Sequence, residues 1–141
     1  MIRLTDEMRE HVNNAITNRK PCLLATASAN GHPGIGYRGS MMVFDNEHLA
    51  YWERALQTGI ENIRENPHVA VLYRDPDTRT GWRFYGDATV YNQDPIREQV
   101  WERTPQVEKN GDPEKKGVAV LIRVDRIMAF NNTVIQQREA S

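Results

Sequence analysis

Leu4, Met8, Val12 and Ile16 recur at steps of four, which places them on one stripe of a helix. Thr5 stands where an N-cap belongs, and Asp6 and Glu7 suit the positive end of the helix dipole. Arg19, Lys20 and Pro21 close the segment. The period then changes. Cys22 to Ala27 is a short apolar run, Asn30-Gly31 is a strong hairpin signal, and a second extended stretch spans Ile35 to Phe44. After a turn at Asp45-Asn46, Leu49-Ala50-Tyr51-Trp52 forms a third strand, so an antiparallel meander is expected. Leu56, Ile60 and Ile63 keep helical spacing up to Asn66-Pro67. Thr58 and Glu61 fit a capping box that starts this helix at Thr58. His68 to Tyr73 is a strand, Arg74 to Asp77 a turn, and Trp82 to Tyr91 a long strand. Gly86 within it predicts a bulge or a close backbone approach. Asp94-Pro95 opens a helix that buries Ile96, Val100 and Trp101.

Thr104 to Gly117 lacks apolar periodicity and reads as a lid, an interface arm or a partly disordered loop. Two final strands, Val118 to Val124 and Ile127 to Val134, precede a polar tail from Gln136. The expected architecture is mainly β: a single domain over residues 1–141, with six or seven antiparallel strands closed into a barrel and flanked by three helices. At 141 residues one core is the limit. The polar balance, with a mean hydropathy of −0.69, leaves that core modest, so burial at a dimer interface is expected to help.

The net charge of −1 argues against a protein that depends on a strong field to hold nucleic acid or membrane lipid. Apolar runs such as Val118-Ala119-Val120-Leu121-Ile122 are far short of the ~20 residues of a membrane span. The opening residues lack a signal-peptide layout, so a cytoplasmic protein is expected. The single Cys22, in an apolar strand, reads as a buried inert thiol. The four histidines show no metal-ligand spacing. With no nucleophile elbow either, any chemistry falls to a bound cofactor.

Gly34-Ile35-Gly36-Tyr37-Arg38-Gly39 is formally G-x-G-x-x-G. A dinucleotide fingerprint needs a helix to follow, whereas Ser40-Met41-Met42-Val43-Phe44 is strand-like. The glycines instead suggest something lying close against the strand. Arg38 and Ser40 alternate and are expected on one face, as a phosphate grip. Thr58-Gly59 opens a helix whose free amides suit an anion, or Thr58 serves only as a cap. Tyr51 and Trp52 are either core residues or a stacking platform for a ring. Arg83 either donates to a carbonyl or anion, or pairs across the sheet.

Several strings recur in a familiar order: Pro21-Cys22-Leu23-Leu24-Ala25-Thr26, Asn30-Gly31-His32-Pro33, Leu49-Ala50-Tyr51-Trp52, Asn62 through Val71, and Phe84-Tyr85-Gly86-Asp87-Ala88-Thr89-Val90. Together they resemble the pyridoxamine 5'-phosphate oxidase-like family of FMN-binding split β-barrels, over about Leu4 to Val134. The resemblance implies a homodimer with FMN at the subunit interface. It puts Arg38 at the first phosphate contact, Thr58-Gly59 at the second, and Tyr51 and Trp52 on the aromatic strand end. With the residue-level reading, the cofactor set becomes Tyr37, Arg38, Gly39, Ser40, Met41, Tyr51, Trp52, Thr58, Arg83 and Trp101, the last two from the opposite subunit.

Three departures accompany the resemblance. Gly59 stands at the second contact, three residues before Asn62, and the family's lysine is missing. Gly81 replaces the glutamine that touches the ring. The chain ends at Gln136-Gln137-Arg138-Glu139-Ala140-Ser141, without the arginine–histidine substrate motif of the oxidase proper, so pyridoxamine phosphate oxidation is not expected. The implied function is flavin-mediated hydride or electron transfer with a small substrate. The alternatives are a deazaflavin or haem on the same fold, or a non-catalytic flavin-binding module.

Overall fold

The computed structural model describes residues 1–139. Ala140 and Ser141, the end of the expected polar tail, lie outside the described residues. Helix α1 (Asp6–Asn13) leads into β1 (Cys22–Ala27), β2 (Pro33–Arg38), β3 (Met42–Val43) and β4 (His48–Glu53). Helix α2 (Thr58–Glu65), β5 (His68–Asp75) and β6 (Thr80–Tyr91) follow. Helices α3 (Pro95–Arg103) and α4 (Gln106–Lys109), β7 (Val118–Ala129) and β8 (Val134–Gln137) complete the chain.

The strands form one antiparallel sheet in the order β2-β1-β5-β6-β7-β4-β3, with β8 beside β7. This corrects the meander. The β1–β2 and β3–β4 hairpins form, but β2 and β3 occupy opposite edges. The stretch from Ile35 to Phe44 is accordingly two strands broken at Gly39-Ser40, where the chain turns from one edge to the other. The two final strands expected before residue 134 are one long β7, and part of the tail forms β8.

Alternation does the packing. Cys22, Leu24, Val71, Tyr73, Phe84, Val120 and Ile122 point inward and are almost fully buried. Burial pushes the Cys22 thiol up to about 12, as befits an inert core residue. Helix α1 closes one end with Met8 and Val12, capped by the Thr5 hydroxyl, which accepts from Met8 N at 3.1 Å. Its last residue, Asn13, accepts from Val43 N at 2.8 Å and so blunts edge strand β3. Helix α3 starts as expected, with the Asp94 carboxylate accepting from Ile96 N at 3.0 Å. No helix among the described residues is long and apolar enough to cross a membrane.

The outward face of β2-β1-β5-β6 is apolar. Cross-strand register aligns Tyr37, Leu23, Leu72 and Arg83 in one row, and Ile35, Ala25, Ala70 and Tyr85 in the next. Ile35 is 75% exposed and Tyr37 66%. A shallow hollow of about 190 Å³ lies between these rows. Such a surface on an edge hairpin invites a partner.

Candidate functional site

Arg38 ends β2 opposite Cys22, so its side chain faces inward at the mouth of the barrel. The glycines of the preceding strand explain how it fits. A Cβ at Gly36 would stand 2.9 Å from Arg38 Nη1, and one at Gly34 would stand 2.8 Å from Thr26 Oγ1. What lies against the glycine strand is therefore the chain's own polar groups, with the guanidinium folded back along the backbone. Arg38 Nη1 donates to Tyr37 O at 2.9 Å, and Nη2 donates to Glu53 Oε1 at 3.0 Å. Arg38 Nε is buried without a partner.

Helix α2 begins beside this group. A Cβ at Gly59 would stand 3.0 Å from Arg38 Nη2 and 3.4 Å from Glu53 Oε1. Glycine here lets the guanidinium reach the first turn of α2, whose leading backbone amides have no partner within the helix. The capping box does not form. Gln57 is the N-cap residue and makes no side-chain bond, while Thr58 is helical and exposed. The Gln57 carbonyl instead accepts from Ile60 N and Glu61 N. The helix is anchored by a buried polar pair, Asn62 Nδ2 donating to Thr26 Oγ1 at 3.0 Å.

Beneath the guanidinium lies Tyr51, fully buried, with Arg38 Cζ 5.8 Å from its ring centroid and its hydroxyl unpaired. Burial first, and the Glu53 charge second, push this phenol above its ordinary value. Burial likewise pushes the Glu53 carboxyl up, against the opposing pull of Arg38. Arg38, Tyr51, Glu53 and Gly59 thus form one cluster, with Thr58 at its rim. Glu53 was not legible as a member. Its only signal is its place two residues after Tyr51, on the same inward side of a strand.

The other expected site residues go elsewhere. Ser40 does not share a face with Arg38, because β2 has ended and the chain is turning. Its buried hydroxyl donates to Trp52 O at 3.0 Å and accepts from Trp52 N at 2.9 Å, which pins the turn to β4. Met41 is in the main core. Gly39 is wedged between the turn after α1 and helix α4, since a Cβ there would meet Ile16 Cδ1 and stand 3.0 Å from the Glu108 carboxyl. Tyr37 and Arg83 lie on the outward apolar face, where Arg83 Nη1 donates to Asn132 Oδ1 at 2.8 Å.

Trp52 and Trp101 meet in a second cluster behind β4, with ring centroids 4.8 Å apart. This cluster also explains the 104–117 segment, which is not a disordered loop. It contains α4 and is tied down by Asp112. That buried carboxylate accepts from Trp52 Nε1 at 2.9 Å, Lys116 N at 2.9 Å and Gly117 N at 2.8 Å. Arg97 stacks on Trp52 and donates to Lys115 O and Gly117 O. Burial opposes the Asp112 charge, but these bonds and Arg97 outweigh it and hold the carboxyl below its ordinary value. Asp112→Ala should cost about 3 kcal/mol in urea unfolding, because it strands several buried donors. In the native protein the contribution is complete above the unfolded pKa of about 3.9 and is lost as pH falls through the lower folded value.

An eight-stranded antiparallel sheet, seven strands in one path and β8 beside β7, with an arginine and a helix N-terminus at its mouth, defines a split-barrel protein. The chain belongs to the pyridoxamine 5'-phosphate oxidase family, whose family model matches residues 5–129. Among solved structures it is similar to HupZ of Group A Streptococcus, at 25% identity and a TM-score of 0.72, covering 97% of this chain and 98% of that one. A candidate pyridoxamine 5'-phosphate oxidase from Lactobacillus delbrueckii is 28% identical, with a TM-score of 0.71 over 90% of this chain and 94% of that one. A related FMN binding protein from Nostoc punctiforme shares the fold at 18% identity, with a TM-score of 0.67 over 86% and 78% of the two chains. No curated protein matches the chain.

Proposed function

We propose that this protein binds FMN at the interface of a homodimer and acts as a flavin-dependent oxidoreductase on a small substrate. The observation that carries the reading is the donor set at the mouth of the barrel. Arg38 lies along a glycine strand against the first turn of α2, with Nε buried and unpaired. A planar guanidinium beside free helix amides is the chemistry that receives a phosphate. The donors fit that group, although Glu53 stands among them. In this reading Arg38 and the amides of Thr58 and Gly59 hold the phosphate.

A second copy would cover the apolar outward face that carries Ile35, Tyr37 and Leu72, and would shield the cofactor's ring from water. Arg83 and Trp101, both from the opposite subunit, would border that shielded space. When bound, a flavin supplies hydride or electron transfer, and the protein supplies binding, orientation and exclusion of water.

The test is direct. Protein purified from its natural host is heat-denatured, the released small molecule is identified by mass and absorbance, and the native mass is measured by light scattering. FMN released from a dimer is the expected result. A deazaflavin or haem in the supernatant would replace the cofactor, and a monomer would overturn the interface.

A further inference from the structure

We propose that Glu53 is the resident anion of the Arg38 subsite, and that it makes this protein nearly indifferent to whether its ligand carries a phosphate. The inference rests on the flavin reading for the identity of the ligand, but its geometric basis is independent of it. The Glu53 carboxylate holds the inner edge of the guanidinium at 3.0 Å, with the Glu53 side chain 7% exposed and that of Arg38 20%. Both partners are largely withdrawn from solvent, so screening weakens the pair little at ordinary ionic strength.

The remaining charges do not alter the balance. Arg54 and Glu108 are the other charged groups acting on Glu53, one of each sign. Gly59 adds no cation at the first turn of α2. Tyr51, buried beneath the pair, is held neutral. An entering phosphate therefore meets a neutral pair rather than a free cation. It must displace the carboxylate, or sit beside it and suffer like-charge repulsion in a poorly screened place. A ligand ending in a hydroxyl meets neither obstacle, because it can bond to the helix amides and leave the pair intact. The pair thus withdraws the preference for a phosphate that a free cation would give. The Arg38 cation usually read as a phosphate contact already has its anion, and the missing lysine is consistent with weak selection for a second one.

Glu53→Gln removes the charge while keeping the shape and an oxygen that Arg38 can donate to. FMN and riboflavin are titrated into wild type and variant at fixed ionic strength by quenching of flavin fluorescence. Inorganic phosphate is titrated separately, with the thermal midpoint as readout. Wild type should bind the two flavins within about threefold of each other. The variant should bind FMN about tenfold more tightly, with riboflavin unchanged. Phosphate should raise the midpoint of the variant more than that of wild type. An unchanged FMN-to-riboflavin ratio, or equal responses to phosphate, overturns the role of Glu53. If neither flavin binds either protein, the flavin reading fails, and the phosphate arm alone decides the role of Glu53. Glu53→Ala answers the same question should the glutamine variant not fold.

Discussion

Arg38→Ala will destabilise the protein by about 3 kcal/mol at neutral pH and, by leaving the Glu53 carboxylate unpaired to repel the phosphate, lower its affinity for FMN by about tenfold. The stability loss follows from what the substitution leaves behind. Glu53 remains buried among Tyr51, α2 and the glycine strand, and its ion-pair partner is gone. Removing one member of a buried pair costs more than the pair contributes, because the survivor's desolvation is no longer offset. The residual exposure of Arg38 places the cost toward the lower part of the usual range. The pH dependence gives a sign that packing loss would not. The Glu53 carboxyl is already raised by burial, so its stabilising contribution is complete below its unfolded pKa of about 4.3 and declines as pH rises through the folded value. Without Arg38 the folded value rises further. The deficit of the variant, measured by urea unfolding, should be small below about pH 4.3 and grow with pH. A deficit that is flat with pH would assign the loss to the missing side-chain contacts. The double variant Arg38→Ala with Glu53→Gln should recover most of the loss at neutral pH, since it leaves no charge behind. A folded Arg38→Ala protein that binds FMN as wild type does would remove Arg38 from the site.

The difference between what was readable and what was not is physical. Local signals were sound where local chemistry decides: the Thr5 and Asp94 caps, the Asn30-Gly31 hairpin and the burial of Cys22 all form as their neighbours dictate. Pairing between distant strands left no local trace. The sequence places β2 just before β3, yet a two-residue turn at Gly39-Ser40 sends them to opposite edges of the sheet. For the same reason Ser40 faces the Trp52 backbone instead of following Arg38. Arg38 was legible because glycines flank it. Glu53 was not, because nothing before folding indicates that β4 lies under β2's last residue. The 104–117 segment looked irregular since its order comes from Asp112 and Arg97, two side chains whose partners are 60 and about 20 residues away.

Gly86→Ala should be the most damaging of the small substitutions, costing about 3 kcal/mol and lowering the thermal midpoint by about 10 °C. The position is central, where β6 pairs with β7. An added Cβ would stand 2.1 Å from Arg123 O and 2.9 Å from Arg123 C, both backbone atoms of the neighbouring strand. No rotamer change can relieve such a contact, so the two strands must separate. They are already irregular there. Tyr85 pairs with Arg126 and Gly86 with Val124, which leaves Asp125 as the extra residue of a bulge on β7. The expected bulge exists, but on the opposite strand, and Gly86 is the residue that lets that strand come close. Forcing them apart breaks the ladder between the two longest strands and disturbs Phe84 and Ile122 in the core. The cluster around Arg38 lies on other strands of the sheet. The Arg38→Ala loss should therefore add to the Gly86→Ala loss in the double variant, and a clear departure from additivity would show that the bulge and the barrel mouth are mechanically coupled.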